Sequence, residues 1–171
     1  MSEESEMSET VREQIIAPDK VLFRPIVRAW VPDGVVTPAA FKLTQKDKDD
    51  SNRLSIARGD AATAEDAYNE RAEAIKKRCD ENGKPYRPPV GVLSVTVDEV
   101  ESIEIKSPEG SQARQPLTAW DDSMNDDIPD THGHIDYNEL PPSDRGAYDF
   151  AAKALLARAV ENGWKFGPIK E

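Results

Sequence analysis

The sequence predicts an α+β fold: a small mixed sheet of short strands packed by two principal helices, with long irregular loops. Three observations predict it. Two segments carry apolar residues at helical spacing between capping and stop residues, several short β-branched runs lie between turn residues, and the two kinds of segment alternate irregularly.

Residues 1–18 hold five Glu and one Arg with almost no periodic apolar pattern, which predicts a disordered acidic tail. Order is expected from about Asp19, with residues 19–171 forming a single globular domain, a size that suits one modest core. "KVLFRPIVRAW" reads as a first strand, in which Pro25 predicts an edge position or a bulge. "VPDG" turns the chain, "TQKDKDDSN" is a surface loop, and "RLSIA" alternates like a strand.

The first helix starts at Thr63, an N-cap with Asp66 three residues on, and Tyr68, Ala72, Ile75 and Cys79 form its inward stripe. Asn82 and Gly83 stop it, and "KPYRPP" cannot continue it. "VGVLSVTV" is the clearest strand and "IEIK" a further one. An irregular acidic loop is expected over about residues 107–142, because Gln115 to Asp144 holds eight acids and no Lys or Arg. Ser143 then caps a last helix, whose stripe of Tyr148, Ala151, Leu155 and Ala159 faces inward until Gly163 ends it.

Charge and composition exclude several functions. The 33 acids against 22 bases leave a formal charge of −11, which repels phosphate backbones and anionic lipid, so neither nonspecific nucleic-acid binding nor membrane binding is expected. The start lacks a basic region and an apolar run, no stretch is long and apolar enough to span a bilayer, and Cys79 is alone, which together predict a cytoplasmic protein without a disulfide or Cys-based zinc framework. No Gly-rich phosphate loop, H-E-x-x-H pair or G-x-S-x-G elbow occurs, and no cofactor is expected. "IARGD" reads as a turn with Asp60 near the helix start.

"PDTHGHIDYNEL" holds both histidines of the chain. Its second half matches a calcium loop, with Gly133 at the turn, Asp136 at the ninth position and Glu139 at the last, and Asp130 falls at the third. Ile128 and His132 occupy positions that need oxygen ligands, and Pro141 and Pro142 block the exiting helix. A transition-metal site would draw on Asp130, His132, His134, Asp136 or Glu139, but Gly133 between the histidines predicts a turn that separates them. No metal is expected, and a polar turn is the simplest reading.

The order of "LFRPIVRAW", "AAFKL", "RLSIARG", "GVLSVTVDEV" and "HGHIDY" resembles a loose group of small uncharacterised bacterial proteins, over roughly residues 21–137. The group has no established activity, and the resemblance singles out His132, with Ile135 three residues on. Two functions are expected to compete. One is a binding or interaction module, an operon accessory protein whose acidic surfaces meet a partner with a basic surface. The other is an enzyme whose cleft gathers Arg24, Ser55, Arg58 and His132; in one version, a nucleotide-handling transferase, Arg24 and Arg58 clamp phosphates while His132 positions a ribose or moves a proton. The two differ in whether those four residues converge.

Overall fold

The computed structural model describes residues 11–49, 52–105, 115–125, 129–138 and 145–169. Eight strands and four α-helices follow one another as β1 (Glu13–Gln14), β2 (Val21–Ile26), α1 (Gln45–Asp49), β3 (Arg53–Arg58), α2 (Ala64–Asn82), β4 (Gly91–Thr96), α3 (Val97–Glu101), β5 (Glu104–Ile105), β6 (Gln115–Pro116), β7 (Thr118–Asp121), β8 (His132–Asp136) and α4 (Arg145–Asn162). Six strands form one sheet in the order β1-β7-β8-β3-β2-β4, and β5 pairs with β6. Every pairing among the named strands is antiparallel. The fold is α+β, with α2 and α4 as its two main helices.

Alternation along the strands separates two sheet faces. Leu22, Ile26, Leu54, Ile56, Leu93, Val95, Ala119 and Ile135 share the apolar face and belong to the buried core. The core also takes Phe41, from the 3-10 turn Pro38–Phe41, and the α4 stripe of Tyr148, Ala151, Leu155 and Ala159. That stripe has the phase its sequence spacing predicts; Ser143, its expected cap, lies outside the described residues.

Helix α2 begins as expected, with a reciprocal capping box between Thr63 and Asp66, and ends at Gly83 in the left-handed region (φ 65°). Its inward stripe is only partly used. Ala67 and Tyr68 are buried, whereas Ala72, Ile75 and Cys79 are half-buried. A helix of 19 residues is roughly 28 Å long, and its buried residues all fall in the first two turns.

Four expectations change. Pro25 lies in an interior strand, since β2 pairs with β3 on one side and β4 on the other. The β2–β3 ladder covers only Leu22 and Phe23, while β2–β4 runs from Val21 to Ile26. Because Val90 N donates to Ile26 O and Gly59 N to Val21 O, alternation turns the donorless Pro25 nitrogen toward β3, opposite Ser55, where the ladder has ended. The Arg24 guanidinium donates to the Ser55 carbonyl there (2.8 Å).

Second, of the tail expected over residues 1–18, residues 1–10 lie outside the described residues and residues 11–18 include a strand of the sheet. β1 pairs with β7, Ile15 N donates to Ala119 O (2.8 Å), and Ile15 packs on the core. Third, the strand read in "VGVLSVTV" stops at Thr96, and Val97 opens α3, which Thr96 and Glu99 start with a second capping box.

Fourth, the segment expected as an irregular acidic loop contributes β6, β7 and β8, and β8 is interior to the sheet. Its inward residues are Gly133 and Ile135, of which only Ile135 carries an apolar side chain, so the alternation is faint in sequence. Gly133 is extended, not a turn. A Cβ there would meet Trp120 O at 2.6 Å and Ile56 Cδ1 at 2.9 Å, so only glycine lets β7 and β8 approach over Ile56.

Leu155→Ala should cost about 2–5 kcal/mol in chemical denaturation, as expected for emptying a core position, whereas Arg158→Ala on the exposed side of the same helix should change little. Equal small losses would contradict the packing of α4. Gly133→Ala should destabilise by about 1–3 kcal/mol, because the new methyl meets backbone that cannot rotate away.

Candidate active site

The polar face of the sheet is assembled by the same period-two rule that builds the core. Ile135 and Gly133 point inward, so His132, His134 and Asp136 point to the opposite face. In register, Ala57 lies opposite His132 and Ser55 opposite His134, which puts Ser55 on that face and diagonal to His132, a separation that an imidazole spans. Trp120 lies opposite His134 on the other side, and Asp122 follows two residues later on the same face. The turn after β7 fixes Asp122: its N–H donates to His132 O (3.2 Å), and its carbonyl accepts from Asn125 N (3.1 Å) and Asn125 Nδ2 (2.9 Å).

These placements bring Ser55 Oγ to 2.7 Å from His132 Nε2, and His132 Nδ1 to 3.0 Å from Asp122 Oδ2. His134 Nδ1 meets the same carboxylate oxygen at 2.7 Å. A carboxylate can only accept, so both imidazoles place an N–H at Nδ1. With its Nδ1 proton donated to Asp122, a neutral His132 presents Nε2 as an acceptor for the Ser55 hydroxyl. This is the arrangement in which a histidine can draw a serine proton while a buried carboxylate orients it.

Exposure is graded along the line. Ser55 is exposed, the His132 side chain is 28% exposed and that of Asp122 is 5% exposed. Burial alone would raise the Asp122 carboxyl, but the hydrogen bonds it accepts from His132 and His134 outweigh it and hold the group well below the ordinary carboxylate range. Thr131 Oγ1 donates to Glu70 Oε2 (2.9 Å), tying α2 to the chain just before His132.

Arg12 closes the far end of the network. Its Nη1 lies 3.1 Å from His134 Nε2 and 2.7 Å from Asp136 Oδ2, and its guanidinium carbon sits 3.7 Å from the centre of the Trp120 ring. The Trp120 and His134 rings are nearly parallel, at 9°, with centroids 6.5 Å apart.

Of the four residues expected to share a cleft, Ser55 and His132 are in contact. Arg24 donates to the Ser55 backbone carbonyl and Ala40 O (2.8 Å each), stacks over Trp30, and is pulled down to about 10 by burial and by nearby Arg71, against an opposing effect of Asp47. Arg58 turns to the other face, alternating with Ala57, and donates to Asp60 (3.0 Å), to the Asp130 carbonyl, and toward Asp121 (3.2 Å). The four therefore do not converge as a set.

Among the candidate metal ligands, His132 and His134 do share a face, against the turn expected at Gly133. Asp136 pairs with Arg12, the Asp130 side chain is not part of the network, and Glu139 lies outside the described residues. No described group of three or more His, Cys, Asp and Glu side chains is arranged to hold a metal ion.

Sequence reasoning missed Asp122, Arg12 and Trp120. The period-two pairs Trp120/Asp122 and His132/His134 carried a signal for two polar strands; nothing local marked Arg12, which meets its partners across more than a hundred residues.

No family model matches the chain, and no curated protein or solved structure matches it either. The class of site is therefore defined by its geometry, a Ser–His–Asp line on the face of the antiparallel sheet opposite Leu54 and Ile135. No described helix is long and apolar enough to cross a membrane.

Asp122→Ala should lower stability by about 2–4 kcal/mol near neutral pH, because two imidazole donors lose a charged acceptor. The folded-state value is depressed, so the stability Asp122 contributes is full above its ordinary value of 3.8 and declines as pH falls below it. Urea midpoints of wild type and variant should accordingly converge on the acid side of that value.

Proposed function

We propose that the chain is an enzyme in which His132 activates Ser55 as a nucleophile for hydrolysis or transfer of an acyl group. The observation that carries this reading is the unbroken line from Ser55 Oγ through His132 to Asp122, at 2.7 and 3.0 Å. In the first step the Ser55 oxygen bonds to the substrate carbonyl carbon as its proton passes to His132 Nε2, and the carbonyl π pair moves to oxygen. On collapse the bond to the leaving group breaks, and the leaving group takes the proton from Nε2. Water, or an acceptor alcohol or amine, then attacks the Ser55 ester while giving its own proton to Nε2, and Ser55 regains that proton on release. Asp122 orients His132 and stabilises the imidazolium while it lasts. Arg24 and Arg58 have protein partners, so this reading does not use them as phosphate clamps.

A fluorophosphonate probe tests the reading, because it reacts with activated serines through the same proton transfer. Mass spectrometry should place the adduct on Ser55 in wild type and find none in Ser55→Ala. His132→Ala should slow labelling by about 10²- to 10⁴-fold, the usual contribution of a positioned base. Folded wild type that remains unlabelled at Ser55 after prolonged exposure would overturn the proposal.

The charge of −11 favours a second reading, an interaction module that meets a partner with a basic surface. On that reading Ser55 is inert, and association with the basic partner slows steeply as ionic strength rises.

A further inference from the structure

We infer that Arg12 is a positioning residue: it occupies the place that a second proton on His134 would otherwise take, and so keeps the Asp122 carboxylate at the disposal of His132. The catalytic consequence rests on the Ser55–His132 reading above; the state of His134 does not.

The argument starts from the donor inventory. A guanidinium has five N–H donors and no acceptor. Arg12 Nη1, which carries two of those hydrogens, faces His134 Nε2 at 3.1 Å and Asp136 Oδ2 at 2.7 Å. His134 Nε2 must then accept. Its Nδ1 already donates to Asp122 Oδ2, so the ring is the neutral Nδ1–H tautomer. A proton at Nε2 would set two donors head to head with no acceptor between them.

The surroundings of His134 show what removing Arg12 would do. Asp122 faces the ring from the turn after β7, Trp120 from β7 and Ser55 from β3. Asp136 follows it along β8 and lies opposite Arg53, and His132 shares the Asp122 oxygen. Without Arg12, the imidazole stands between the Asp122 and Asp136 carboxylates. Nε2 then gains a proton and turns from acceptor to donor toward Asp136. The new imidazolium draws on the charge of Asp122 and disfavours a second positive charge on His132, which weakens His132 as a base.

The N-terminal segment is held for this purpose at both ends of its approach. Val11 N donates to Asn125 Oδ1 (2.8 Å) and Asn125 Nδ2 donates to Val11 O (2.6 Å), and the same Asn125 binds the Asp122 carbonyl. Trp120 lies against the guanidinium and limits its direction. One turn therefore sets Asp122 and Arg12 relative to each other.

The chain has two histidines, so ¹⁵N imidazole spectra resolve both, with His132→Gln giving the assignment. At neutral pH, full-length wild type should show His134 with a proton at Nδ1 and none at Nε2. Arg12→Met should show Nε2 protonated, and Arg12→Lys, which keeps a donor-only cation, should restore the wild-type signature. In fluorophosphonate labelling, Arg12→Met should react about tenfold more slowly than wild type near pH 7 and recover as pH rises and His134 loses its extra proton. A merely structural role would not make the defect pH-dependent. An unchanged His134 signature in Arg12→Met, or a protonated Nε2 in wild type or in Arg12→Lys, overturns the inference. If Arg12→Met does not fold, wild type and Arg12→Lys still decide it. If the spectra behave as expected but wild-type Ser55 is never labelled, the inference about His134 is supported and the catalytic reading alone falls.

Discussion

The antiparallel register between β3 and β8 is the constraint on which the molecule depends. It sets Leu54 opposite Ile135 and Ile56 opposite Gly133 on the core face, and Ser55 opposite His134 and Ala57 opposite His132 on the other. A slip by one residue would turn both imidazoles into an apolar core and Ile135 onto the face that holds Asp122. Two features pin it. Ile135 is fully buried, and Gly133 admits the Trp120 carbonyl and the Ile56 side chain where any other residue would collide with them. Hydrophobic packing on one face thus sets hydrogen-bond geometry on the other.

On the polar face a single carboxylate serves two imidazoles. Such a group is costly to bury unless its oxygens are satisfied, and here the two Nδ1–H donors hold Asp122 ionised at 5% exposure. The arrangement is asymmetric. His134 is closed off by Arg12, whereas His132 opens onto an exposed serine. That asymmetry gives two chemically identical residues different surroundings: the Nε2 edge of His134 faces the Arg12 guanidinium, and that of His132 faces the Ser55 hydroxyl.

Residues 11–15 and the sheet are consequently one unit. β1 pairs with β7 at Trp120 and Asp121, and Arg12 crosses to β8, so the edge of the sheet and the site share the same few residues. Arg24 plays a comparable part inside the sheet. It takes the Ser55 carbonyl that the donorless Pro25 leaves unpaired, and thereby supports the serine from its backbone side.

Local rules were readable from the sequence alone. The Thr63–Asp66 cap, the left-handed stop at Gly83, the α4 stripe and the strands at "RLSIA" and "VGVLSVTV" each rest on neighbouring residues, and the structure places them where periodicity does. The α+β class followed from them. Ser55 and His132 were legible as chemically capable residues, but not as partners, since 77 positions separate them. β7 and β8 were hidden because their outward positions carry His, Asp and Trp and an inward one carries glycine, a composition that reads as loop until the sheet supplies hydrogen bonds on both sides. Asp122 and Arg12 could only be found in three dimensions. A hydrogen bond is decided within about 3 Å, and strand pairing, not sequence spacing, brought these groups within that range.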